Sequence, residues 1–393
     1  MNIVQEIIMK AKIMPLRLNP GIESLEIFQK TGLMFMQYSS DPSNESIFKP
    51  ISMVEPGFIL ILPIISNITK IAYETIANYF FYFLLFVSML SIFYFISKSV
   101  NKINYKIYSY FFVILVNFYM HNRLFGLVVE WLLYFYSAQL IIPLIILIIN
   151  KKLNGNFFLI GAIFFMGVLI DQFRSYASLG AIIFLTFALI YHKEQFFKKS
   201  LIFIMFIFYL IIPQILNSYI ENKQKENYYK LYNTNYHTDV KVSASVWYTT
   251  YRGLGFINGK LKGYNDEVIH EFLEGEKNNK HFAPSDENNK LLKGEIIRII
   301  KTDPSFALRL YSAKFGVILT YFIIFANIGL YFMLKSNGVT KFTKVLFMLA
   351  FFCYSIPPLL AIPVLPYLGG IIGLGMILHC YMLSLKKPDF SKN

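Results

Sequence analysis

Long and nearly uninterrupted apolar runs constrain this chain more than any other feature of its sequence. Two of the clearest cover residues 76–96 and 124–149. A helix of about 20 apolar residues is long enough to cross a hydrocarbon core of roughly 30 Å. The strands of a membrane barrel would instead give short segments of alternating polarity, which these runs are not. The sequence therefore predicts a helical protein that crosses a membrane several times.

The apolar runs divide the chain into blocks. Nine transmembrane helices are predicted, at about 76–97, 106–121, 124–149, 156–171, 176–191, 199–217, 313–334, 341–361 and 363–385. The predicted fold class is an all-α polytopic membrane protein with one large mixed extracytoplasmic loop. The predicted domains are an N-terminal extracytoplasmic segment with a short interfacial or re-entrant helix (1–72), a transmembrane block (73–217), an extracytoplasmic loop domain (218–312), C-terminal transmembrane helices (313–386) and a cytoplasmic tail (387–393).

The positive charge of the chain predicts its orientation. A net charge of +14 would suggest nucleic acid as the partner of a soluble protein. Here many lysines lie in short loops between apolar runs, so we expect membrane lipid rather than nucleic acid as the partner. Several of these loops fall on one side of the membrane, with lysines at 98, 102, 106, 151, 152, 193, 198, 199, 335, 341, 344, 386 and 387. The positive-inside rule makes that side cytoplasmic and places the large loop outside.

Charged residues at the edges of the apolar runs are the first candidates for a site. Arg123 and Glu130 are seven residues apart, which puts them on one face of a helix. Asp171 and Arg174 lie in a short link that predicts a tight hairpin exposing both side chains at one membrane face. Ionisable groups in a membrane are functional candidates by default. The open alternative is that they form structural ion pairs between helices.

Two acids of the N-terminal segment are candidate catalytic residues. Glu23 and Glu55 fall on the predicted outer face, and Glu55 directly precedes a Pro-Gly pair and a short apolar piece. A carboxylate there could act as a general base toward a hydroxyl group or bind a divalent cation, so a divalent cation is the one cofactor considered. The alternative is that each is a solvated loop acid.

The large loop supplies further candidates. Arg252 precedes Gly-Leu-Gly, a sequence that lets backbone approach an anion, although Gly-x-Gly alone is a weak signal. Trp247 and Tyr251 could stack on sugar rings or anchor at the membrane interface. Residues 288–302 predict an amphipathic helix that lies on the membrane or packs on the bundle. Asp303 is expected to cap a new helix that runs on into the next apolar run.

The loop also carries a family resemblance. Its segment resembles one in bacterial polytopic glycosyltransferases of the GT-C type, through Trp247, Tyr251, Gly253, Leu254, Gly255, Asn258, Gly263, Asp266, Asp303, Pro304, Phe306, Leu308, Leu310, Tyr311 and Lys314. The resemblance implies a GT-C-like fold in a bacterial plasma membrane and transfer of a sugar from a polyprenyl-phosphate donor to a lipid, glycan or protein acceptor. It places Glu23 in the region where such enzymes have their catalytic aspartate. Asn258 and Asp266 join the candidate substrate-binding residues through the same resemblance.

Electrostatics fits this expectation. Arg123, Arg174 and Arg252 could hold the donor phosphate and stabilise the charge that grows as the glycosidic bond breaks. An O-antigen polymerase or ligase, which also handles lipid-linked sugar phosphate, is the second enzyme interpretation. A transporter or membrane scaffold is the non-enzymatic interpretation, but the sequence shows none of the paired repeats that are common in transporters.

Overall fold

The computed structural model describes most of the helical part of the chain. The described residues are 35–36, 49–50, 57, 61–71, 73–124, 132–153, 157–191, 196–232, 246–257, 261, 263, 267–277, 286–335 and 339–385. At the start of this set, two short strands, β1 (Phe35–Met36) and β2 (Lys49–Pro50), form an antiparallel pair.

Helices account for nearly all the remaining described residues. Their bounds are α1 Leu62–Thr69, α2 Tyr73–Ser99, α3 Ile103–Leu124, α4 Leu133–Ile149, α5 Phe157–Phe173, α6 Leu179–Tyr191, α7 Phe196–Tyr232, α8 Val246–Gly253, α9 Glu267–Lys277, α10 Asp286–Thr302, α11 Pro304–Lys335, α12 Lys341–Leu360 and α13 Leu365–Ser384. The described chain is therefore all-α apart from the short strand pair, as the apolar runs predict.

Five described helices are long and apolar enough to cross a membrane. They are α2, α7, α11, α12 and α13. The apolar helices α4 and α5 have 17 residues each and α6 has 13. At 1.5 Å per residue, they are shorter than a hydrocarbon core of roughly 30 Å. These helices give the architecture of a helical membrane protein, and the count of nine spans stays a prediction.

The apolar helices pack as one bundle with α13 at its centre. In its apolar window, 83% of α13 is buried, against 11% for α7, so α7 lies at the edge. Helix α13 packs on α11, α4, α12 and α3, and α4 packs in turn on α2 and α6. Glycines allow the close approach: a Cβ on Gly375 of α13 would lie 2.9 Å from the Ala326 nitrogen of α11.

A second, smaller core lies at one end of the bundle. It is formed by α8, the 3₁₀ turn Leu254–Phe256, α9, α10 and the first two turns of α11, which together we call the cap. The amphipathic helix α10 buries Leu292, Ile296 and Ile299 in this core, so its apolar face packs on protein. The expected cap of α11 is confirmed, because Asp303 accepts a hydrogen bond from the Phe306 backbone N–H at 2.9 Å.

Two boundaries differ from those that the sequence suggests. Helix α7 continues beyond residue 217 to Tyr232, since residues 218–232 contain good helix formers and neither glycine nor proline. Helix α11 consists of two helical pieces that meet at a kink at Asn327, whose φ is 44° and ψ is −126°. A side chain at such a positive φ strains the backbone, so this position marks a kink within the apolar run.

Candidate functional site

The cap meets the bundle at the turn between α12 and α13, residues 361–364. The contact is made by Gly253, the last residue of α8, whose backbone lies against the carbonyl oxygens of Leu360 and Ala361 and the Lys314 ammonium. A Cβ at this glycine would overlap both carbonyl oxygens. The glycine next to Arg252 is thus needed for close approach, although the group it approaches here is protein backbone.

Lys314 is the most unusual charged group at this junction. It lies on α11, is 1% exposed, and donates hydrogen bonds from Nζ to the Leu359 oxygen at 2.9 Å and the Ala361 oxygen at 2.6 Å. Its ammonium also lies 5.5 Å from the centre of the Tyr311 ring. The last carbonyl groups of a helix carry partial negative charge, so the lysine is placed where α12 attracts a cation. Among the described residues, its contacts include no carboxylate.

The hairpin between α5 and α6 reaches the same end of the bundle. The Arg174 guanidinium carbon lies 5.7 Å from the centre of the Tyr367 ring, at the start of α13. Tyr367 lies in the first turn of α13, and its N–H donates a hydrogen bond to the oxygen of Val364, the last residue of the turn that begins at Ala361. Arg174 therefore contacts the start of α13, and Lys314 contacts the end of α12 and the first residue of the turn.

Part of the N-terminal region also lies at this hairpin. Gly57 is buried, and a Cβ there would lie 2.8 Å from the Phe173 ring and 2.9 Å from the Gln172 oxygen. The Glu55-Pro-Gly57 sequence thus ends against the link that carries Arg174. Other candidates fall outside the described residues, namely Glu23, Glu55, Glu130, Asn258 and Asp266.

The expectation that Asp171 is exposed is wrong. Helix α5 continues to Phe173, so Asp171 lies inside the bundle at 4% exposure. Its Oδ1 accepts hydrogen bonds from the Ser178 backbone N–H and hydroxyl, each at 2.8 Å, and its Oδ2 accepts one from the Tyr209 hydroxyl. These bonds satisfy a carboxylate that burial would otherwise penalise, and they hold α5, α6 and α7 together.

The aromatic candidates lie in the cap. Tyr251 is 3% exposed and its ring packs 5.2 Å from Phe272, so it contributes to the core of the cap. Burial, together with the nearby Glu295 carboxylate, raises the pKa of the Tyr251 phenol to about 12, which keeps it protonated at neutral pH. Trp247 is half-buried, with the Lys293 ammonium 5.2 Å from its ring centre. Neither ring is presented as an open sugar-stacking platform.

Arg123 belongs to a helix that packs on the start of α4. It is exposed near the end of α3, two residues after His121, whose imidazole is 2.8 Å from the Tyr136 hydroxyl of α4. Of the three arginines expected to bind phosphate, Arg174 lies beside Tyr367 at the start of α13, Arg252 precedes the glycine that meets the α12–α13 turn, and Arg123 lies near the end of α3.

Sequence reasoning did not select Lys314 as a site residue, although a signal for it exists. The buried positions of α11 recur every three or four residues, at Phe306, Leu310, Lys314, Ile318, Phe322, Ala326, Gly329 and Met333. A lysine in the middle of an otherwise apolar stripe predicts a buried ammonium that needs polar partners.

The described residues contain no group of three histidine, cysteine or acidic side chains that could hold a metal ion. Comparisons with protein-family models, curated proteins and solved structures find no match for this chain. What the structure itself defines is a helical protein with apolar helices long enough to cross a membrane and a polar cap at one end of the bundle. The chemistry of the cap junction consequently has to be argued from its own residues.

Proposed function

We propose that this protein is an integral membrane glycosyltransferase that transfers a sugar from a polyprenyl-phosphate donor to a lipid, glycan or protein acceptor. The observation that carries the proposal is the buried Lys314 at the turn between α12 and α13, with Gly253, the neighbour of Arg252, against the same turn and Arg174 beside the Tyr367 ring at the start of α13. Three cations beside apolar helices suit a ligand with an anionic head and a long apolar tail. The resemblance of the segment 245–314 to GT-C-type proteins supports the same class.

The proposed chemistry divides between cations and an acid. Breaking the glycosidic bond leaves negative charge on the carrier phosphate, and cations that are already in place stabilise that charge in the transition state. Arginine contributes a planar pair of donors and lysine a point charge. Glu23 or Glu55 deprotonates the acceptor hydroxyl in this scheme. The reaction takes place at the extracytoplasmic face of a bacterial plasma membrane, in a nine-span GT-C-like bundle.

A binding experiment tests phosphate recognition without knowledge of the sugar. The purified protein in nanodiscs is titrated with polyprenyl phosphate and with the matching polyprenol, and the ratio of the two affinities is measured. A charge-assisted hydrogen bond contributes about 1.5–3 kcal/mol, so Arg174→Gln or Arg252→Gln should lower the ratio roughly tenfold or more. Equal affinity of the unaltered protein for both lipids would refute the proposal.

An experiment in cells tests the transfer reaction. Arg174→Ala, Arg252→Ala and Glu23→Gln should each abolish the glycan modification and cause lipid-linked saccharides to accumulate, at unchanged membrane abundance. Normal surface glycan in all three variants would remove the assignment of these residues. The accumulated saccharide also separates this function from that of an O-antigen polymerase or ligase, because a polymerase defect leaves complete single repeat units on the carrier.

One observation favours a transporter as the second candidate. Broken helices within a membrane are common at transport sites, and α11 breaks at Asn327 in the middle of an apolar run. Uptake or flipping of a lipid-linked sugar by reconstituted protein, with no change in the covalent structure of the sugar, would favour this candidate.

A further inference from the structure

The face of α10 that points away from the cap core carries an unusual row of side chains. Lys290, Lys293, Ile297 and Lys301 are all exposed and follow one another at intervals of three or four residues. At 100° per residue they fall within one stripe of the helix, opposite the buried Leu292, Ile296 and Ile299. Helix α10 thus has one apolar face that is covered by protein and one basic face that is not.

The lysines of this stripe are not neutralised by the described acids. Glu295, the acid nearest the middle of α10, is engaged by Arg298, with both of its oxygens 2.6 Å from guanidinium nitrogens. Lys293 lies above the ring of Trp247 and forms no ion pair with a described residue. Glu287, one turn before Lys290, is an exposed acid near the start of the stripe. Cations therefore dominate the surface.

The stripe continues into the membrane-facing side of α11. Only Asp303 separates α10 from α11, whose first turns expose Leu308 at 72% and also Arg309. Helix α11 has 32 residues, more than the roughly 20 that cross a hydrocarbon core, and its apolar run begins near residue 313. Its first two or three turns therefore reach the headgroup level, and the α10 stripe joins it there.

We propose that this surface, Lys290, Lys293, Ile297, Lys301, Leu308 and Arg309, binds the headgroups of anionic phospholipids in the leaflet that surrounds the cap. Lysine and arginine supply attraction to the phosphates, while Ile297 and Leu308 give apolar contact at the depth of the upper acyl chains. Exposed aliphatic side chains between the cations favour a lipid surface over a soluble polyanion. The proposal does not depend on glycosyl transfer.

A local probe is needed, because many lysines also lie at the other end of the bundle. Ile297→Cys, in a background of Cys353→Ala and Cys380→Ala, places a bimane fluorophore within the stripe. The protein is reconstituted in nanodiscs of equimolar phosphatidylcholine and phosphatidylglycerol, with a nitroxide on the headgroup of one lipid or the other. We expect stronger quenching by labelled phosphatidylglycerol than by labelled phosphatidylcholine.

Substitution of the three lysines of the stripe tests whether they cause the preference for phosphatidylglycerol. One lysine near an anionic surface raises the local lipid concentration by about fivefold. Lys290→Gln, Lys293→Gln and Lys301→Gln together should lower the quenching ratio at least by that factor, and added salt should do the same. The matched control, Lys335→Gln with Lys341→Gln at the opposite end of α11 and the start of α12, should leave the ratio unchanged.

Three results would overturn the proposal. Equal quenching by both lipids, or a ratio that survives loss of the three lysines, would show that the stripe does not select anionic headgroups. Quenching by neither lipid would place this face of α10 in water, where a soluble polyanion or solvent is its partner.

Discussion

Replacement of Lys314 by methionine separates a functional cation from a structural one. Methionine has a similar length but donates no hydrogen bond, so the Leu359 and Ala361 oxygens lose their donor. Each orphaned buried acceptor costs about 1–3 kcal/mol. In the opposite direction, methionine removes the desolvation penalty of a buried ammonium, which is several kcal/mol. Because the two effects offset, we expect the free energy of unfolding to change by less than about 2 kcal/mol.

Thermal unfolding with a thiol-reactive dye measures this change. With the half-buried Cys353 replaced by alanine, Cys380 is the remaining thiol; it is fully buried and becomes reactive when the bundle opens. At roughly 2 °C per kcal/mol for a chain of this size, the Lys314→Met variant should melt within about 4 °C of the unaltered protein. It should nevertheless lose its preference for polyprenyl phosphate over polyprenol, and Lys314→Arg should recover part of it. Lys335→Met, an exposed lysine on the same helix, is the control and should alter neither property.

The opposite pattern would refute this reasoning. If Lys314→Met lowers the unfolding free energy by more than about 4 kcal/mol, the carbonyl bonds outweigh the desolvation penalty. If that variant also keeps its preference for the phosphate, the lysine joins α11 to α12 and has no part in binding an anion.

Three further outcomes are expected. Gly253→Ala should destabilise the folded cap by about 1–3 kcal/mol through overpacking, and trypsin should then cleave the cap faster. The control is Gly275→Ala, where no atom lies within 4 Å of the added carbon, and it should be neutral or slightly stabilising. The pKa of Tyr251 is raised to about 12 in the folded cap, so its protonated phenol contributes fully to stability below pH 10 and this contribution falls as the pH rises toward 12. In alkaline unfolding curves, Tyr251→Phe should therefore make the free energy of unfolding depend less on pH. A periplasmic reporter fused at Asn279 should be active and one at Lys198 silent, and the reverse would overturn the orientation.

The sequence predicts the helices well because their apolar runs are local features. The segment predicted at 341–361, for example, forms a helix from Lys341 to Leu360. The N-cap at Asp303 and the amphipathic helix before it are also confirmed, since both depend on residues three or four positions apart. Short-range spacing was sufficient for these elements.

The site was less predictable because its contacts are long-range. The oxygens that bind Lys314 belong to residues 45 and 47 positions further along the chain. Asp171 is buried because Tyr209, 38 residues away, reaches it from another helix. The apolar stripe of α11 indicates that Lys314 is buried, but the local pattern identifies the partners of neither Lys314 nor Asp171. The convergence of the hairpin and the loop was expected, but the lysine at their meeting point was not.

Tyr354 shows how the centre of the bundle resists deformation. Its ring lies in a hollow formed by Gly180 of α6 on one side and Gly370 of α13 on the other, where any added Cβ would overlap the ring. Its hydroxyl is 3.3 Å from the Ser137 hydroxyl of α4. Sliding of α12 along its neighbours would have to lift this ring out of both hollows at once. This packing opposes shear within the core, so we expect any movement of the cap against the bundle to be a rotation about the chain links.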